Sequence, residues 1–211
     1  MIEVFQKIIV GDSPVFLLIC GPNGAGKSTF RKKHLEVISF PCVDPDAVAF
    51  EIFGRHPETK AEAIKATKTA TNRVRRQFRE KKSIALETVF SDTKGHKIAL
   101  LDEAKRAGFM TVLIFIGLDH PQISFARVQD RVEHGGHDVP DEIIENRFPK
   151  CFANLKTALK TTDLCILIDN SGELRHNIFG IIEKGKLIQL LKPAPNWFRI
   201  YNIADALSLK P

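Results

Sequence analysis

A glycine-rich run that ends in lysine and a hydroxyl residue can hold a row of phosphates, and the sequence contains one. Gly21-Pro22-Asn23-Gly24-Ala25-Gly26-Lys27-Ser28-Thr29 fills every position of the pattern G-x-x-x-x-G-K-[ST]. Its glycines let the backbone curl until several N–H groups point at one anion. A helix beginning near Lys27 adds its positive end. The Lys27 ammonium would reach the β- and γ-phosphates, and the Ser28 hydroxyl would ligate Mg²⁺. Val15–Cys20 ahead of the run reads as a buried strand, and the residues from Lys27 to about Val37 carry no breaker and read as a helix. Strand, loop and helix are the context the pattern requires, so the chain is expected to bind a nucleoside triphosphate.

Phosphoryl transfer also needs a group to take a proton and oxygen ligands for a metal. Asp44-Pro45-Asp46 follows Val37–Phe40 and Cys42-Val43, a strand interrupted by Pro41. It therefore stands at the carboxyl end of that strand, where open α/β sheets bind ligands. Asp46 could accept the proton of a substrate hydroxyl, whereas Asp44 reads as a cap or loop residue. Glu87 interrupts an apolar run at the end of a third strand, Ser83–Leu86, and could hold the Mg²⁺ shell or a substrate hydroxyl. Thr88 and Ser91 lie at the same edge and would line the substrate pocket; Ser91 could equally cap the next helix. Asp119, after the apolar strand Met110–Leu118, ranks third as a metal-shell acid, behind Asp46 and Glu87.

Charge on the transferring group calls for arginine, whose planar fork meets phosphate oxygens in pairs. Ile123–His134 reads as a helix with Arg127 and Arg131 one turn apart on one face. Gly135-Gly136 breaks it, His137-Asp138-Val139-Pro140 follows, and a second helix opens at Asp141 and carries Arg147. An arginine-bearing helix–Gly-Gly–helix excursion over about residues 120–147 reads as a lid that closes on the triphosphate. His137 reads as a structural hydrogen-bonder rather than a base.

The remaining elements must hold these groups. A long helix over about Glu58–Lys82 shows an apolar stripe of Ile64, Thr67, Thr71, Val74 and Phe78. Its other face is strongly basic but has no interleaved aromatics to stack bases, so it reads as a solvated face and argues against nucleic acid as a partner. A helix carrying Ile98, Leu101 and Ala104 stops at Gly108. Asp163–Ile168 is a fifth strand, and the Asp169-Asn170-Ser171-Gly172 segment after it is expected near the purine. Residues 178–191 read as a hairpin, Trp197 and Tyr201 as packing residues, and the hairpin and tail over about 173–211 receive no functional role. The opening residues 2–10 read as an amphipathic lead-in and Gly11-Asp12-Ser13-Pro14 as a turn. The fold class is α/β: a parallel five-stranded sheet flanked by helices, in one domain over residues 1–211.

With 44% hydrophobic and 27% charged residues the chain has ordinary globular composition. A formal net charge of +6 favours an anionic partner, which nucleotides satisfy as well as nucleic acid does. The four cysteines make no C-x-x-C pair or metal-ligand spacing; they read as reduced thiols of a cytoplasmic protein. Neither a signal peptide nor an apolar run long enough for a membrane span is read.

Taken together, the loop at 21–29, Asp44-Pro45-Asp46, Glu87-Thr88 with Ser91, and Arg131-Val132 followed by Gly135-Gly136-His137-Asp138-Val139-Pro140 and Arg147-Phe148 resemble the zeta-toxin-like P-loop kinases. Asn154-Leu155 fits the same pattern, and the resemblance covers about residues 15–170. It implies transfer of the γ-phosphate of ATP or GTP, with Mg²⁺, to a hydroxyl of a small-molecule acceptor; zeta toxins phosphorylate UDP-N-acetylglucosamine. By that resemblance Asp46 matches the general base, Lys27 and Ser28 the phosphate and Mg²⁺ ligands, Glu87 and Thr88 the substrate-side acid and its neighbour, and Arg131 and Arg147 the arginines that clamp the triphosphate. The chain looks like a compact branch of the family, with little room for an elaborate sugar-nucleotide pocket. It shows no antitoxin segment, and an antitoxin-type partner is left open. Other readings are an ATPase that drives motion or assembly, a nucleic-acid kinase, and a non-catalytic nucleotide-binding module. The chain has neither the L-S-G-G-Q-like signature of transporter ATPases nor the N-K-x-D of GTPases.

Overall fold

The computed structural model describes residues 13–35, 40–172 and 176–207. The expected lead-in over residues 2–10, the first half of the turn at 11–14 and the 37–39 part of the second strand lie outside these residues. β1 (Val15–Gly21), β2 (Cys42–Val43), β3 (Ile84–Val89), β4 (Met110–Gly117) and β5 (Leu164–Asp169) pair in parallel, in the order β2-β3-β1-β4-β5. Every residue of β1 is buried, as are all but the first of β4. Central parallel strands covered on both faces need such unbroken apolar runs, which is why they are plain in the sequence.

The sheet is larger than expected. β6 (Asn177–Glu183) and β7 (Lys186–Leu190) form the expected hairpin, and it joins the main sheet antiparallel to β5, giving seven strands among the described residues. The turn residues Lys184 and Gly185 both take positive φ, 47° and 77°, as two-residue hairpin loops require. Only β6 is buried; the whole of β7 is exposed at the edge.

Seven helices are described: α1 (Lys27–His34), α2 (Pro45–Phe53), α3 (Lys60–Glu80), α4 (His96–Arg106), α5 (Pro121–Glu133), α6 (Asp141–Ala158) and α7 (Asn196–Ile200). A capping box starts α3: Thr59 accepts from the Glu62 N–H, and the Glu62 carboxylate accepts from the Thr59 N–H. Its buried stripe differs from the expected one. Ala66, Ala70, Val74 and Phe78, four residues apart, face the core, while Ile64 and Thr67 are exposed. Alanines let the helix approach closely, and their weak hydrophobicity hides the stripe in sequence. The basic face is solvated as expected and laced with ion pairs, Arg73–Glu51, Arg75–Glu103 and Arg76–Glu80. No helix among the described residues is long and apolar enough to cross a membrane.

Trp197 ties the end of the chain to the sheet. It is fully buried, and a Cβ at Gly117 of β4 would lie 2.4 Å from its ring. Its indole N–H donates to Asp169 Oδ1 at 3.0 Å, and its backbone N–H donates to Asp119 Oδ1 at 2.9 Å. Replacing Trp197 by alanine removes this plug and should cost about 3–5 kcal/mol, or about 10 °C in melting temperature. Thermal unfolding followed by circular dichroism checks this; a loss below about 3 °C would mean that the tail does not support the core.

Candidate active site

The loop at 21–29 joins β1 to α1, and its shape is held from behind. Gly26, which precedes α1, has φ +85°, in the left-handed region that favours glycine. A Cβ there would meet the Asn170 amide nitrogen at 2.7 Å and His176 Nε2 at 3.0 Å. Both contacts are functional to the loop. The buried Asn170 side chain donates to the Ala25 carbonyl at 2.9 Å and accepts the His176 N–H at 3.0 Å. His176 Nε2 lies 3.0 Å from the Gly26 carbonyl, so it must carry the proton, and burial holds the ring's pKa below the ordinary value. Asn170 thus meets the loop from the segment expected near the purine, while His176 lies in the region to which sequence reading assigned nothing; no local signal marks that residue.

In the loop itself, the Lys27 ammonium donates to the Pro22 carbonyl at 2.7 Å and to the Gly21 carbonyl at 3.4 Å. Burial lowers its pKa, against the opposing pull of Glu87. Asn23, Gly24, Gly26, Lys27, Ser28 and Thr29 face a cleft of about 870 Å³. Gly21, Pro22 and Ala25 do not; they lie behind it and supply carbonyls to Lys27 and Asn170. A cleft at the large end of small-molecule sites, about 300–1,000 Å³, is roomier than the compact chain led one to expect.

The other expected site residues, Asp46, Glu87, Thr88, Ser91, Arg131 and Arg147, line the same cleft. Glu87 is buried within β3, which runs on to Val89, beyond the expected end. One of its oxygens accepts the Ser28 hydroxyl, and the other accepts Arg31 Nε at 2.8 Å. Arg31, one turn into α1, escaped sequence reading because an arginine in a basic helix carries no distinguishing mark. A hydroxyl and a carboxylate in contact form a hard-oxygen pair that suits Mg²⁺, so the residues present fit that ion.

Asp44 caps α2, accepting the Asp46 N–H at 3.0 Å; this leaves Asp46 exposed in the first helical turn. Gly95, not Ser91, stands at the N-cap of α4, and the Asp92 carboxylate accepts the first N–H groups, those of His96 and Lys97, at 2.9 and 3.2 Å. Asp119 does not line the cleft. It receives Trp197 N and Asn196 Nδ2 at 2.9 and 3.2 Å, and so anchors α7 instead of serving as a metal-shell acid.

The segment expected as a lid folds as two helices around the Gly135-Gly136 break. The Ser124 hydroxyl, near the start of α5, donates to the Asn23 carbonyl at 2.8 Å, and Arg127 donates to the Asn170 carbonyl at 2.8 Å. Thus α5 rests directly on the phosphate loop. After α5, Gly136 N–H donates to the Arg131 carbonyl at 2.9 Å, and a Cβ on Gly136 would lie 2.5 Å from the Arg131 side chain. Arg131 itself donates to the His137 carbonyl. The His137 ring stacks on His56, with centroids 4.7 Å apart, a contact that joins the lid to the segment after α2.

This fold and cleft define a P-loop nucleotide-binding protein of the kinase-like α/β class. Residues 16–148, more than half of the chain, match the family model described as AAA domain, and the chain belongs to that family. A Haemophilus influenzae protein described as uncharacterised is 28% identical over 132 residues, 63% of this chain and 91% of that protein. Among solved structures, the AvrRxo1-ORF1:AvrRxo1-ORF2 complex with sulphate ions superposes with a TM-score of 0.68 at 17% identity, over 99% of this chain and 69% of that one. The same complex with ATP gives 0.67 at 17% identity, covering 99% and 68%. The PezAT toxin-antitoxin system of Streptococcus pneumoniae gives 0.56 at 18% identity, covering 80% and 74%. At such identities these structures share the fold.

Asp44 offers a test of the site's electrostatics. Burial, and then the charge of Glu87, raises its pKa from 3.8 to about 6. Between those values the folded chain holds a proton that the unfolded chain has released. Stability should therefore fall as pH rises from about 4 to 6 and stay level above. Asparagine caps as well as aspartate and has no charge to bury. With solvent screening allowed for, Asp44→Asn should gain about 1 kcal/mol at pH 7.5 without metal, or about 2–4 °C. The two proteins should melt together near pH 4. An unchanged or lower melting temperature at pH 7.5 would refute the assignment.

Proposed function

We propose that the chain is a kinase that transfers the γ-phosphate of ATP or GTP to a hydroxyl of a small molecule. The observation that carries this reading is the convergence on one cleft of the phosphate loop, the Ser28–Glu87 pair, Asp46 and the lid arginines. The loop N–H groups and Lys27 would hold the triphosphate. Ser28 and Glu87 would hold Mg²⁺, which when bound neutralises phosphate charge. Asp46, exposed and unencumbered by the cap that Asp44 supplies, would take the acceptor's proton as its oxygen bonds to the γ-phosphorus. The bond from that phosphorus to the β–γ bridging oxygen breaks, and the nucleoside diphosphate leaves with the electron pair. Arg131 and Arg147 would offset charge on the transferring group. Thr88 and Ser91, on the β3 side of the cleft, would contact the acceptor.

The zeta-toxin resemblance makes UDP-N-acetylglucosamine or another sugar nucleotide the first acceptor to try. The AvrRxo1 complex, which shares the fold, was solved with ATP, and this supports ATP as the donor to try. With γ-labelled ATP or GTP and Mg²⁺, label should pass to an acceptor in a panel of sugar nucleotides, nucleotides and nucleosides. Lys27→Ala should lower transfer at least about 10³-fold. Asp46→Asn should bind nucleotide normally and lower transfer about 10²–10⁴-fold. Normal turnover by Asp46→Asn would remove it as the base, and acceptor-independent phosphate release alone would favour an ATPase.

A further inference from the structure

The wall of the cleft that follows β3 holds positive charge beyond the phosphate loop's own Lys27. Lys97 stands in the first turn of α4 and lines the cleft with its side chain only 15% exposed. Its nearest carboxylate, Asp92, is 3.7 Å away. That carboxylate is already engaged by the N–H groups of Lys94, His96 and Lys97. Arg147 of α6 lines the same cleft, and its side chain makes no hydrogen bond or ion pair with the described residues. The two elements are clamped together: Asn154 of α6 donates to the Phe90 and Asp92 carbonyls at 2.8 and 2.9 Å. Burial holds the Lys97 ammonium's pKa below its usual value; Asp92 opposes this, and Arg147 adds to it. Two neighbouring cations, Lys97 short of water and paired only with an already engaged carboxylate and Arg147 with no such partner among the described residues, are costly unless an anion joins them.

The position of this pair says which anion. In the sheet, β3 and β2 lie on one side of β1, and β4 and β5 on the other. The loop is held from the β4–β5 side by Ser124 and Asn170, whereas Asp46 follows β2, Thr88 lies near the end of β3, and Ser91 and Lys97 follow it. We propose that Lys97 and Arg147 form an anion subsite for the acceptor, which therefore carries a phosphoryl group besides the hydroxyl that is phosphorylated. Arg147 has five donors and can serve this group and the transferring one together. This proposal rests on the kinase reading and narrows it: phosphorylated sugars and nucleotides are acceptors, and free sugars and nucleosides are poor ones.

Calorimetric titration of inorganic phosphate into protein saturated with AMP-PNP and Mg²⁺ tests it, because the triphosphate site is then filled. The loaded wild-type protein should bind one phosphate. Lys97→Met should weaken that binding at least tenfold with AMP-PNP affinity unchanged, and Lys97→Arg should retain it; Lys97→Gln serves if the methionine variant misfolds. No phosphate binding to the loaded protein, or equal binding by the neutral variants, overturns the subsite and leaves the kinase reading intact. Failure of AMP-PNP to bind overturns both.

Discussion

A loop of backbone dipoles can hold phosphate only if something else holds the loop. Here that work falls to short hydrogen bonds from side chains far away in sequence. Asn170 ties Ala25, His176 meets Gly26, and Ser124 ties Asn23. Each bond occupies a backbone carbonyl of the loop and so fixes the course of its main chain. The ties come from the end of β5, the start of β6 and the start of α5. The nucleotide site, the enlarged sheet and the lid are therefore mechanically one unit. Through Ser124 and Arg127 the first turns of α5 are tied to the loop and to the segment after β5.

The floor of the cleft is an electrostatic compromise. Buried carboxylates are tolerated when they are hydrogen-bonded and paired, and Glu87 meets both conditions through Ser28 and Arg31. Its charge is felt at Asp44, which is raised, and at Lys27, whose ammonium it supports against burial. The wall at Lys97 has no such balance, since Asp92 serves the helix end first. One cleft thus presents a paired acid where a metal would sit and under-paired cations where anions would sit.

Strong local chemistry was legible in the sequence alone. The phosphate loop announces itself because four residues of set type, Gly21, Gly26, Lys27 and Ser28, must fall at fixed places within eight positions. The strands β1, β4 and β5 stand out because burial on both faces demands apolar runs. The lid break at Gly135-Gly136 shows because a helix must end there, and Asp46, Glu87, Thr88, Ser91, Arg131 and Arg147 could be named because each stands where a strand ends or a lid helix runs. Tertiary structure alone decided which of these meet. It put all six on one cleft, sent Asp119 to anchor α7, and gave Arg31 a buried partner 56 residues away. It placed β6 on the main sheet, since a hairpin's pattern says that two strands pair with each other but not what a third side will join. It turned α3 onto Ala66 and Ala70, whose value is closeness rather than hydrophobicity. Asn170 and His176 became supports of the loop only through contacts 145 and 150 residues long. Local propensity and periodicity are written in neighbouring residues, whereas a hydrogen bond between distant segments depends on the whole sheet being in place, and no short stretch of sequence encodes it.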